Sequence, residues 1–528
     1  MSFYGRAAHT HSAGRVRSAG CPLPSRWGTA VDRADKHAGR TDVARAHHIS
    51  SEGGTHVNGQ RRASLARFAP LLAGTGLFIA ACQPAAQPSP TTAPAKPTEV
   101  AKPTAPAATT APAAAASPVA KPASPVASPS AAAAASPVAS PVAGGGNLSG
   151  TIKIVSSLPR TGSSKGQTDT IVNAYKMALA EANNRVGGAT IVYEDLDDAT
   201  AAAGKWTADK EAENANRAVN DPDVMVYLGT FNSGAAAVSI PILCRANLTM
   251  ISPANTYPGL TKKIEGVEAN EPDVYYPGGC KRNYTRVVPS DEIQGAAAAK
   301  WSKDLGATKA YILDDSEAYG RGIAVFYNIT APKVGLQVVG GPESIDPKAS
   351  DYRALAQKIR GTGADVVFFG GITQNNAGKL WQDLRATLGT SVRLMGPDGI
   401  QEQAFIDAAG QAAENTYTTF GGVPAPKLTG RGAEWYGRYK QQYNSEPEPY
   451  ASYGYESMKV ALDAIQRAGR KDRVAIRDAV TSTKDFTGIL GSWSFLPTGD
   501  TSLTTMSGSI VKSGKFDSAN SVTLQAPQ

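Results

Sequence analysis

From Gly150 onward, short β-branched runs bounded by turn residues alternate with longer segments of helical period. The pattern predicts strands at 151–156, 190–195, 224–229, 249–252, 285–289, 310–314, 336–340, 365–369, 392–396 and 416–420. Between most of them it predicts helices, among them 169–184, 208–219, 293–303, 352–360 and 377–388. Alternation over so many units means a doubly wound α/β architecture of parallel sheets. Roughly 380 residues exceed what one core serves, so two such lobes are expected. The rhythm breaks after residue 421, where helices at 432–444, 453–468 and 473–481 precede a β-rich tail at 493–522. The expected assignment is lobe 1 at about 150–287 and 422–487 and lobe 2 at about 288–421 and 488–528, joined by a hinge that the chain crosses several times.

In an open parallel sheet, ligands bind beyond the carboxyl ends of the strands. Two polar clusters fall there. After the apolar run VMVYLGT come Asn232, Ser233 and Gly234, with Ser233 placed to cap the next helix. A hydroxyl, free backbone N–H groups and a helix dipole suit an anion such as a carboxylate. After LTMIS come Pro253, Ala254, Asn255 and Thr256, a tight turn whose carbonyls and Thr hydroxyl suit an ammonium group. Each cluster taken alone also reads as an ordinary cap or turn.

The segments before Gly150 have a different character. Residues 1–56 are Arg-, His- and Gly-rich, contain all six histidines and lack apolar periodicity. With no second Met there and Val57 a codon that can start translation, this segment is expected to be a mis-called extension. Residues 57–82 read as an export signal: Arg61, Arg62 and Arg67, then an apolar stretch too short to span a bilayer, then Cys82. Ile79, Ala80, Ala81 and Cys82 resemble a bacterial lipobox, so Cys82 is the expected site of acylation. Residues 83–146 are Ala, Pro, Ser and Thr with repeated SPVA units, a composition that cannot bury enough apolar surface to fold and serves as a tether. The net charge of +8 resides in these segments: residues 1–82 carry +7 and 83–146 carry +2, leaving −1 for the rest. Nothing in that balance points to nucleic acid.

Enzymatic readings find little support. Gly162, Ser163, Ser164, Lys165 and Gly166 match the G-x-S-x-G nucleophile elbow, but no His follows His56 to complete a triad. The same loop lacks the Gly-Lys-[Ser/Thr] ending of a phosphate loop. No cofactor and no metal site is expected, since only two cysteines and no histidine remain. Those two, Cys244 and Cys280, are an even pair in an exported chain and predict a disulfide around 261–279, two separate thiols being the alternative. Asp195, Asp197 and Asp198 fit either a cation site or, more simply, a strand end that caps the next helix.

From about Gly150 to the end, the order of motifs resembles the leucine/isoleucine/valine-binding family, the extracytoplasmic substrate-binding proteins of branched-chain amino-acid ABC transporters. The carrying segments are GTFNSG (229–234), SPANTYPGL (252–260), DDSEAYGRG (314–322), FFGG (368–371) and LMGPDGI (394–400). The resemblance implies a periplasmic binding protein type I fold, with the ligand's carboxylate held at Ser233, Ala254 and Thr256 in the turn that includes Asn255. It implies an ammonium held by that turn and by Asp398, next to Gly399, where the leucine binder has a Glu. Tyr319 matches a tyrosine that closes over the ligand, and Tyr450 falls near an aromatic of the side-chain pocket. Two departures affect the pocket: Ile372 stands in place of a Tyr and Lys165 in place of another aromatic, and a Lys there could meet a second acidic group. The implied protein is a non-enzymatic, lipid-anchored solute binder outside the cytoplasmic membrane, with a small zwitterion and a membrane permease as partners. The rivals are a sensor subunit of the same fold, for amides or small organic acids, and a serine hydrolase using Ser164.

Overall fold

The computed structural model describes residues 148–527. The extension (1–56), the signal segment ending in Cys82 and the tether (83–146) expected from the sequence lie outside the described residues.

The first stretch supplies β1 (Ser149–Leu158), α1 (Lys165–Glu181), β2 (Arg185–Val186), β3 (Gly188–Asp197), a small hairpin of β4 (Ala199–Thr200) and β5 (Lys205–Trp206), and α2 (Ala208–Asn220). It continues through β6 (Val224–Gly229), α3 (Ser233–Arg245), β7 (Thr249–Ser252) and β8 (Tyr284–Arg286). Apart from the hairpin these strands form one sheet in the order β2, β3, β1, β6, β7, β8, parallel except at the β2 edge. All six residues of β6 are buried, as a strand covered by helices on both faces requires.

The second lobe runs through α4 (Asp291–Asp304), β9 (Lys309–Asp314), α5 (Ala318–Thr330), β10 (Gln337–Ser344), α6 (Arg353–Thr362), β11 (Val366–Gly370) and α7 (Ala377–Leu388). It is followed by β12 (Arg393–Gly396), α8 (Gln403–Ala409) and β13 (Tyr417–Gly421). The chain then builds α9 (Arg431–Tyr443), α10 (Ala451–Ala468), α11 (Arg473–Thr481) and a hairpin of β14 (Phe486–Gly488) and β15 (Gly491–Trp493). It ends in β16 (Met506–Lys512), β17 (Lys515–Phe516) and β18 (Val522–Leu524). The second sheet is ordered β10, β9, β11, β12, β13, β16, β17, with β18 beside β16; β9 to β13 are parallel and β16 runs against β13.

The late helices return to the first lobe, where Trp435, Tyr439, Met458 and Ile476 share a core with Ile152 and Tyr175. Ile489, Trp493 and Phe495 join that core too, whereas Met506 and Leu524 pack with the second. The last crossing therefore lies between Phe495 and Met506, later than the boundary near residue 488 read from the sequence. Three strands of chain thus connect the lobes, after β8, after β13 and after β15. Two of them are tied by a buried ion pair: Arg286 Nε donates to Asp500 Oδ1 at 2.6 Å, and the same guanidinium donates to the Tyr257 carbonyl at 2.8 Å. Burial pushes the Asp500 carboxyl up, but the charges of Arg286 and Lys262 outweigh it and hold the group at about 2. Cys244, near the end of α3, is bonded to Cys280 with the Cα atoms 5.9 Å apart.

Candidate functional site

Between the lobes lies a narrow, partly open cavity of about 20 Å³. Its walls are Phe231, Asn232, Ser233, Ala254 and Tyr450 from the first lobe and Tyr319, Ile372, Asp398 and Gly399 from the second. The ends of β6, β7, β11 and β12 therefore converge on one crevice, as their polar carboxyl-terminal clusters imply.

The first-lobe wall is built around the start of α3. The cap residue is Asn232, in extended backbone, one place earlier than the Ser233 cap read from the sequence, and Ser233 is the first helical residue. The amide groups of that first turn have no partner within the helix. Ser233 Oγ accepts from the Tyr257 amide at 3.3 Å and is 2% exposed. The neighbouring turn is shaped by Ser252, whose Oγ accepts from the amides of Ala254 and Asn255 at 3.1 and 2.8 Å. Asn255 does not line the cavity. Its amide donates to Thr230 Oγ1 and the Phe231 carbonyl and its oxygen accepts from Tyr284, so it fastens the two strand-end turns together. Thr256 is absent from the cavity wall as well, and its Oγ1 is buried without a hydrogen-bond partner among the described residues.

The second-lobe wall centres on Asp398, 5% exposed at the end of β12. Its Oδ1 accepts from Gln294 Nε2 at 2.6 Å and from the Tyr319 hydroxyl at 2.9 Å, and its Oδ2 accepts from the Tyr450 hydroxyl across the cleft. The Tyr319 oxygen in turn accepts from the Gly399 amide at 3.0 Å, which fixes its direction. Burial raises the Asp398 carboxyl above the ordinary range, and the hydroxyls and amide around it pull it only part of the way back. Asp291 at the start of α4 is fully buried, its amide bonded to the Thr256 carbonyl, yet neither side-chain oxygen has a hydrogen-bond partner among the described residues. Burial and then the charge of Asp398 push it far above the carboxylate range. Two buried carboxyls of this kind, with orphan acceptors on Asn232, Thr256 and Gln294 nearby, form a place short of positive charge. Phe231 meets Tyr450 edge to face at 5.5 Å, and with Ile372 they make the rest of the wall apolar.

Lys165 is a correction. It begins α1, pairs with Asp169 at 2.5 Å, keeps 57% of its side chain in solvent and is absent from the cavity wall. The walls therefore hold no cationic side chain for a second acidic group. Ser164 is the cap residue before α1 and is buried. The Asp195 and Asp197 carboxylates are occupied in folding the loop after β1, accepting from Arg160, Thr161 and Ala199. No cluster suited to a metal ion occurs among the described residues. Asp291, Gln294 and Phe231 were not singled out from the sequence, whereas Asn232 belonged to the first polar cluster read there. The signal available was two polar residues three apart, Asp291 and Gln294, opening a helix otherwise rich in Ala.

Residues 151–514 match the family model described as periplasmic binding protein. Over 371 residues the chain is 29% identical to Leu/Ile/Val-binding protein homolog 2 of Brucella abortus (strain 2308), which covers 69% of this chain and 91% of that protein. Among solved structures, the leucine binding protein LivK from Thermotoga maritima aligns with a TM-score of 0.62 at 24% identity, over 71% of this chain and 99% of its own. The substrate binding protein LivJ from Streptococcus pneumoniae, solved with isoleucine, aligns with a TM-score of 0.60 at 24% identity over the same shares.

Proposed function

The chain belongs to the periplasmic binding protein family, and from that premise we propose that it is the extracytoplasmic binding component of an ABC importer, closing on a branched-chain or related amino acid and delivering it to a membrane permease. The observation that carries this reading is one cavity with an anion anchor on one lobe and an acid on the other. The ligand carboxylate would lie at Ser233 and the free amides of α3. Its ammonium would lie among Asp398, Asp291 and the Thr256 hydroxyl, supplying the charge those buried groups lack. Phe231, Ile372 and Tyr450 would enclose an aliphatic side chain. Because the two anchors stand on different lobes, the ligand bonds fully only to the closed form, and that differential affinity drives closure. Acylation at Cys82 and the 83–146 segment would keep the domain tethered at the membrane.

The reading is tested by calorimetric titration of the protein with L-leucine, L-isoleucine and L-valine beside 4-methylpentanoate and 3-methylbutylamine, which keep only one of the two charged groups. Binding of an amino acid, with a loss of at least tenfold for each singly charged analogue, supports it. Equal or tighter binding of the acid or the amine alone would refute the two-anchor site.

A further inference from the structure

Outside the cavity a second set of contacts joins the lobes. The β4–β5 hairpin carries Lys205 and Trp206 from the first lobe to the rim of the second. Lys205 Nζ donates to Glu317 Oε1 at 2.8 Å and to Asn375 Oδ1 at 2.6 Å, and Trp206 Nε1 donates to Glu317 Oε2 at 3.1 Å. The receiving side is already organised. Asn375 Nδ2 donates to Asp315 Oδ2 at 2.8 Å and to Glu317 Oε1 at 2.9 Å, and the Glu317 amide donates to Asp315 Oδ1 at 3.1 Å. The Lys205 and Glu317 side chains are 31% and 16% exposed, so solvent screens this pair less than one on an open surface.

Each end of this contact also touches the ligand site. The Trp206 ring covers Gly234 so closely that an added Cβ would come within 2.6 Å of it, and Gly234 directly follows Ser233. On the other lobe, Asp315 Oδ2 accepts from the amide of Ile372, a residue of the cavity wall, at 3.0 Å. The hairpin is anchored to the first lobe through Thr207, whose amide donates to the Asp198 carbonyl and whose hydroxyl caps α2.

We propose that Lys205 and Trp206 are positioning residues for ligand binding: together with Glu317 and Asn375 they form a latch that engages when the lobes close and sets how long the ligand stays bound. The latch rests on the binding reading above but uses none of the residues that line the cavity. Contacts present only in the closed form lower the population of open molecules, and the ligand leaves through the open form. The latch therefore acts on the dissociation rate, and it holds part of the ligand-free population closed as well.

The test uses the full chain and its Lys205→Met, Lys205→Arg and Glu317→Gln variants, with L-leucine and L-isoleucine as probes in stopped-flow experiments. Lys205→Met and Glu317→Gln should each raise the dissociation rate by roughly tenfold, the worth of one charge-assisted hydrogen bond. Association should stay within about twofold, and Lys205→Arg should recover most of the loss, a rescue that a merely structural role would not give. Unchanged dissociation in both variants, or an Arg variant as fast as the Met variant, overturns the latch. If the wild type binds neither probe, the ligand reading fails separately, and hydrogen exchange without ligand still decides the latch. Faster exchange at 199–206 and 315–320 in Lys205→Met, with α10 unaltered, supports it; identical exchange in the two proteins overturns it.

Discussion

Ser233 and Asp398 line the cavity from different lobes, so a change at either removes one proposed anchor while leaving the other lobe intact. Ser233→Ala should weaken amino-acid binding by about 1–3 kcal/mol, the usual worth of a hydrogen bond to a charged group, as read by calorimetry. Asp398→Asn removes the counter-charge proposed for the ammonium and replaces a carboxylate that now accepts from Gln294, Tyr319 and Tyr450, so a larger loss, at least tenfold in the dissociation constant, is expected. Asp398 came only from the resemblance of its LMGPDGI segment to the family's motif, whereas the place of Ser233 was legible in the sequence itself because it sits at a strand end, where a break in the apolar run marks the turn. Lys165 was not, since its neighbour one turn on, Asp169, decides where its side chain goes, and an i,i+4 pair competes with any role in the cleft. Asp291 and Gln294 were hidden for a different reason: their task comes from where the chain crosses between lobes, which no local pattern records.

At the scale of elements, α5 carries a contact with the first lobe. Gly322 lies against the ring of Tyr257 from the first lobe, and a Cβ there would fall 2.5 Å from a ring carbon. Gly322→Ala should therefore weaken ligand binding several-fold by opposing closure while leaving the melting temperature of the ligand-free protein nearly unchanged. A melting point that falls together with the affinity would place the residue in the fold rather than in the closure. The disulfide acts on the loop between α3 and β8: its cysteines are 36 residues apart, and removing both with Cys244→Ala and Cys280→Ala should cost about 3–4 kcal/mol in denaturant unfolding on the chain-entropy estimate. Elements with β-branched runs and Gly or Pro punctuation, such as β6, β7 and α7, were readable to the residue. The β4–β5 hairpin was not, because two paired residues per strand separated by an Ala-rich turn give no period to detect.

Across the whole molecule, several buried carboxyls hold protons that an unfolded chain would release. Burial is the main cause in each case: it brings Glu211, Asp315 and Glu448 to about 7 and Glu402 to about 8. In the window between the ordinary carboxylate range and pH 8 the folded form therefore binds more protons than the unfolded form, and stability falls as pH rises. Groups held low, such as Asp500 at about 2, are ionised in both states throughout that window and do not offset the trend. The described residues contain no histidine to add a titration of opposite sign. The melting temperature should accordingly be higher at pH 5 than at pH 8, by differential scanning calorimetry at constant ionic strength. The two-lobed plan was legible because alternation persists for ten strands; the late hinge crossing was not, since Ile489, Trp493 and Phe495 pack back into the first core before the chain leaves it. The most direct test of the account is a crystal structure grown with L-isoleucine. It should show one ligand between the lobes, its carboxylate at Ser233 and the start of α3 and its nitrogen within hydrogen-bond reach of Asp398. A ligand bound elsewhere, or one turned with its carboxylate toward Asp398, would contradict it.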